Sequence, residues 1–207
     1  VGKYLSVNET ACEDIPEGAA ESVGKELLAF FHDRLIVQLK DSGIRHDVIK
    51  AVIANGDDDL VRIVARAKTV QSFLDTDDGK NLLAGYKRAA NIVSIEEKKD
   101  KTSYSKADTK PAQLKEEAEK LLASMLDQKA DIIIAALENE DFAEVMHQLS
   151  ALRKPIDQFF DTIMVNVDNN DLRINRLCLL AAIRDFVNII ADFSCIEGDS
   201  KEQKKAA

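Results

Sequence analysis

The chain has 207 residues, with 28 Lys and Arg against 37 Asp and Glu; the net charge of −9 argues against coating nucleic acid or anionic membrane by bulk charge. Eight glycines and three prolines are less than half of the ~12% expected from average usage, so the turn chemistry of a sandwich or barrel is missing. With 45% hydrophobic and 31% charged residues, the composition predicts a globular all-α protein of one domain or two small ones.

No apolar run approaches the ~18 residues of a membrane span, and the first twenty residues carry acids where a signal peptide needs a basic and then an apolar stretch. No membrane partner is expected. Cys12, Cys178 and Cys195 are odd in number and far apart, which reads as reduced thiols of a cytoplasmic protein. The chain opens on Val1 rather than Met, leaving room for a longer native chain.

Residues 1–17 (VGKYLSVNETACEDIPE) lack a period and read as an extended lead-in or linker. A helical body, 18–97, follows. Val23, Leu27, Phe30, Phe31 and Leu35 recur at three- and four-residue steps and predict a first helix over 19–41 with those residues inward, stopped by Gly43. Val48, Ile49, Val52 and Ile53 make a short second helix; Leu60, Ile63, Val64, Ala67, Val70 and Phe73 line a third near 58–74. A fourth, about 77–97, turns Leu82, Leu83, Tyr86, Ala89, Ala90 and Val93 inward and sets Lys87, Arg88 and Asn91 elsewhere on its wheel.

Residues 98–110, charged and hydroxyl-rich, predict a flexible connector before a second helical unit, 111–196, that packs on the first. Pro111 suits the first turn of a fifth helix, 111–137, and residues 141–152 form a sixth. Pro155 opens a seventh in which Ile156, Phe159, Phe160, Ile163 and Met164 fall at i, i+3, i+4, i+7 and i+8, with Phe160 central and inward. A broad apolar stripe from Leu172 to Phe193 predicts a last, central helix over 171–194, and 197–207 reads as a disordered tail.

Catalytic signatures are missing: no Gly-rich phosphate loop, no G-x-S-x-G, no C-x-x-C and no H-E-x-x-H. Neither His32-Asp33 nor His46-Asp47 can chelate a metal alone, because adjacent helical residues diverge by ~100°. No catalytic or metal residue is expected. The informative positions are cations and amides near helix starts: Lys87, Arg88 and Asn91; Arg153 and Lys154; Asn170, Arg173, Asn175 and Arg176. They could be structural, with Asp161 holding Arg176 inward, or they could meet phosphates and unstacked bases, to which helix N-termini add free N–H groups.

Residues 151–186 (ALRKPIDQFFDTIMVNVDNNDLRINRLCLLAAIRDF) closely resemble the C-terminal, anticodon-binding region of the beta subunits of bacterial two-subunit glycyl-tRNA synthetases. The segments 26–54, 65–74 (ARAKTVQSFL) and 86–93 (YKRAANIV) fall in the order expected of the same subunits, so the likeness covers about 26–197. It implies the helical anticodon-binding fold shared with arginyl-tRNA synthetases, named for an Asp-Ala-Leu-Arg motif. Ala151-Leu152-Arg153 echoes that motif with Ser150 in place of Asp, so no role passes to Arg153.

The resemblance further implies that tRNA(Gly) is the partner, that the alpha subunit joins through the full-length beta chain, and that ATP and Mg2+ serve the whole enzyme while this chain holds no cofactor and no catalysis. Lys87, Arg88, Asn91, Lys154, Asn170, Arg173 and Arg176 are the expected tRNA contacts, chosen by charge and position. The competing expectation is a helical protein-interaction module without RNA binding, which the acidic balance modestly favours.

Overall fold

The structure, a computed structural model, describes residues 19–198. Eight α-helices form there and no strand: α1 (Ala19–Asp41), α2 (His46–Ile53), α3 (Leu60–Leu74), α4 (Asp77–Asp100), α5 (Glu117–Glu138), α6 (Phe142–Ser150), α7 (Arg153–Thr162) and α8 (Asn170–Val187). Single 3-10 turns occupy Lys106–Asp108, Pro111–Gln113 and Phe193–Cys195. The expected lead-in and most of the tail lie outside the described residues.

Short polar side chains set four of the eight helix starts by satisfying the orphan N–H groups of a first turn. Asp59 accepts from Val61 and Arg62, Thr76 from Gly79, Asp141 from Glu144, and Asn169 from Leu172. At α5 the device is reciprocal: Glu116 and Glu119 form a capping box. This box places the start of α5 after Glu116, whereas the expected start at Pro111 holds only a 3-10 turn. α4 ends at Lys101, whose φ of 53° is left-handed.

α8 runs through the middle of the core, with Leu177, Leu180, Ala181 and Ile183 fully buried. α4 packs along it, α5 lies against α6, α7 and α8, and α3 bridges α4 to α6. The last helix stops at Val187 rather than reaching 194, because competing hydrogen bonds turn the chain. Asn188 Oδ1 accepts from the Phe193 N–H (3.0 Å), and the Asp192 N–H reaches across to the Ala51 carbonyl (2.9 Å). Ile190, Phe193 and Ile196 are still buried, Phe193 against Tyr86 at 5.7 Å between ring centroids.

Two further expectations are corrected. Among the described side chains of α1 only Leu35 and Leu39 are buried; Val23, Leu27, Phe30 and Phe31 are exposed, because α1 packs mainly on α2 and α3. Residues 101–110 are anchored rather than free. Tyr104 is buried, its N–H donates to Glu97 and its hydroxyl to Asp100, and the Lys106–Asp108 turn packs on α8.

Candidate nucleic-acid interface

α4 and α7 meet at Gly85. A Cβ there would sit 2.9 Å from Cγ2 of Ile156, so the absence of a side chain admits α7 at close range. One turn further along both helices, the guanidinium of Arg88 lies over the ring of Phe160, 4.3 Å from its centroid. Phe160 is thus only half-buried, while Phe159 is fully buried and meets Phe160 edge-on at 5.8 Å. The expectation of an inward Phe160 is corrected: adjacent helical residues point ~100° apart, and the core takes Phe159.

Arg88 and Asn91 are exposed on α4, and Lys154 is exposed at the start of α7. Lys87 faces elsewhere. Its Nζ lies 3.0 Å from where a Cβ on Gly198 would be, and burial pushes its pKa down despite the attraction of Asp47. Asp47 itself accepts from Arg45 and from the Glu197 N–H, so it serves an ion pair in the place where a His-Asp metal pair was considered. Among the described residues no group of three or more His, Cys, Asp and Glu could hold a metal, and no helix is long and apolar enough to cross a membrane.

The corner between α7 and α8 is built from ion pairs. Arg173 donates to Glu96 and to Asp100 (2.5 Å), both on the last two turns of α4, and to Asn166 (3.3 Å). The Arg173 hydrogen bond lowers the Glu96 pKa; the Tyr104 hydroxyl and then Arg173 lower that of Asp100. Tyr104 is pushed up to about 12 by burial and by its carboxylate partner. Arg176 pairs with Glu119 of α5, not with Asp161, and also donates to the Met164 carbonyl (2.8 Å).

Arg173 and Arg176 are therefore already engaged by the fold. Asn170 remains exposed at the first turn of α8, on a cleft of about 510 Å³ whose lining includes Asp100 and Asp108. Those carboxylates disfavour a phosphate there. Arg153 is paired with Asp78 (2.6 Å). The structure thus brings Arg88 and Asn91 to one exposed surface beside Phe160 and separates them from Lys87. The stack was hidden in the sequence because Phe160 carries the spacing of a core residue; Gly85 in mid-helix was the available signal.

Residues 82–191, just over half of the chain, match the DALR anticodon binding domain. That match opens within α4, whose contact with α8 makes it part of the same packed unit. The chain is 50% identical over 185 residues to the glycine–tRNA ligase beta subunit of Rhodospirillum centenum, covering 89% of this chain and 26% of that protein. Its counterpart from Paracoccus denitrificans is 49% identical over 199 residues, 95% of this chain and 28% of the relative. The chain spans about a quarter of the length of these curated relatives. From the extent of the domain match, carried on an all-helical fold of the expected order, the chain belongs to the DALR anticodon-binding domain family.

Proposed function

We propose that this chain is the C-terminal, anticodon-binding part of a glycine–tRNA ligase beta subunit and that it binds tRNA(Gly) in support of ATP-dependent glycylation by the alpha–beta complex. The observation that carries the reading is the half-identity to beta subunits across 89% of the chain, together with the domain match. The alpha subunit is the protein partner through the full-length beta chain, the setting is the cytoplasm, and ATP and Mg2+ are handled elsewhere in the complex.

Recognition on this reading is local. A net charge of −9 disfavours diffuse attraction, so affinity must come from few groups placed where the protein's own acids do not cancel them. Arg88, Asn91 and Lys154 are exposed on or beside the α4–α7 junction and have no carboxylate partner among the described residues. Asn170 suits a base edge rather than a phosphate. Arg173 and Arg176 hold the surface in shape, and Lys87 stands apart.

A salt titration of binding to tRNA(Gly) tests the reading. Phosphate contacts give a linear fall of log affinity with log salt, with a slope of about −0.7 per contact for single strands. Absence of tRNA binding at low salt, or binding with no salt dependence, contradicts it.

A further inference from the structure

Seven of the nine arginines pair with carboxylates among the described residues; Arg34 and Arg88 do not, and each lies on a phenylalanine ring instead. Arg34 belongs to α1, outside the matched domain, whereas Arg88 lies inside it on the α4–α7 junction. In a chain with this excess of acid, an arginine free of carboxylates at such a junction has a specific physical setting.

Three features define that setting. Gly85 brings α7 close enough to α4 for Phe160 to reach Arg88 one turn later. Phe159, fully buried, meets the Phe160 ring edge-on and holds it in place. The guanidinium then covers the aromatic ring, while Arg88 itself stays exposed and its N–H groups have no protein acceptor among the described residues. A guanidinium centred 4.3 Å from a ring centroid, on an exposed side chain without a carboxylate partner among the described residues, is a planar cation on which a flat π system can lie.

We propose that the Arg88–Phe160 stack is the platform on which one splayed base of a single-stranded RNA loop lies, which on the functional reading above is an anticodon base. Unstacked bases in loops are taken up on aromatic or guanidinium planes, and the guanidinium edge then remains available to the base or a neighbouring phosphate. Asn91, three residues along the same helix and exposed, is placed to add a hydrogen bond at the rim. The proposal distinguishes Arg88 from a point charge: its plane carries the effect, so lysine does not replace it.

The test measures the affinity of the full chain for a tRNA(Gly) anticodon stem-loop at several salt concentrations, with Arg88→Lys, Arg88→Ala and Phe160→Leu, and with stem-loops made abasic at one anticodon position at a time. Thermal midpoints check folding, and Arg88→Lys, an exposed change, keeps the protein folded. Arg88→Lys is expected to weaken binding roughly 5- to 150-fold, the range that stacking supplies, with its salt slope unchanged. One abasic position is expected to lower wild-type affinity and to have little further effect in Arg88→Lys. Lysine binding as well as arginine, or no abasic position coupling to Arg88, overturns the platform while leaving tRNA binding intact. A wild-type chain that binds no stem-loop overturns the functional reading and the platform together.

Discussion

Arg176 on α8 and Glu119 on α5 meet at 2.5 Å between Nε and Oε1, with both side chains almost wholly out of water. The other oxygen of Glu119 accepts from the N–H groups of Lys115 (2.7 Å) and Glu116 (3.0 Å), and Arg176 also donates to the Met164 carbonyl. One pair therefore caps α5, ties it to α8 and fastens the segment after α7.

Removing one member leaves the other as an uncompensated buried charge. Arg176→Ala is expected to destabilise the protein by ~3–5 kcal/mol, read as a fall in denaturation midpoint. Glu119→Ala should cost at least as much because it also deletes the cap. A variant as stable as the wild type would show that the pair contributes no more than a surface contact.

Arg173 predicts an acid dependence. Glu96 and Asp100 are held below their ordinary values of 4.5 and 3.8 in the folded chain, so their contribution is complete above that range and fades as the pH falls through the folded values. Arg173→Ala should lower stability at neutral pH by more than the ~0.5 kcal/mol typical of surface changes. The gap to wild type should narrow below about pH 4. A gap that is constant with pH would place the effect outside these carboxylates.

Phe159 and Phe160 should separate. Phe159→Ala, at a fully buried site, is expected to cost ~3–5 kcal/mol, and Phe160→Ala clearly less. Chemical denaturation of both variants decides it; equal losses would return Phe160 to the core.

These contrasts mark what periodicity can see. α1 has the bounds 19–41 that its spacing predicts, and α7 starts within two residues of Pro155. Spacing says that a face is apolar, not what covers it, so the exposed stripe of α1 and the two-residue choice at Phe159 and Phe160 were beyond it. The stripe of α8 continues unbroken to Phe193, and only the Asn188 and Asp192 hydrogen bonds reveal that the helix ends sooner. For the site, charge was legible but partnership was not: Glu96 and Asp100 stand more than seventy residues from Arg173. The capping box of Glu116 and Glu119 was not anticipated, and the three-residue spacing of that acidic pair is the signal that would have placed the start of α5.

On the proposed function, catalysis lies outside this chain. The chain alone, supplied with glycine, ATP, Mg2+ and tRNA(Gly), should form no glycyl-tRNA in an aminoacylation assay, and glycylation without added alpha subunit would contradict the division of labour.

The central claim is that this chain reads an anticodon, and equilibrium binding of the full chain to tRNA(Gly) transcripts with native and altered anticodons tests it most directly. Each altered base that is read should weaken binding, by ~1–3 kcal/mol if the value for a good bidentate base contact in a duplex carries over to a loop. Equal affinity for every anticodon, at any salt concentration, would contradict the account.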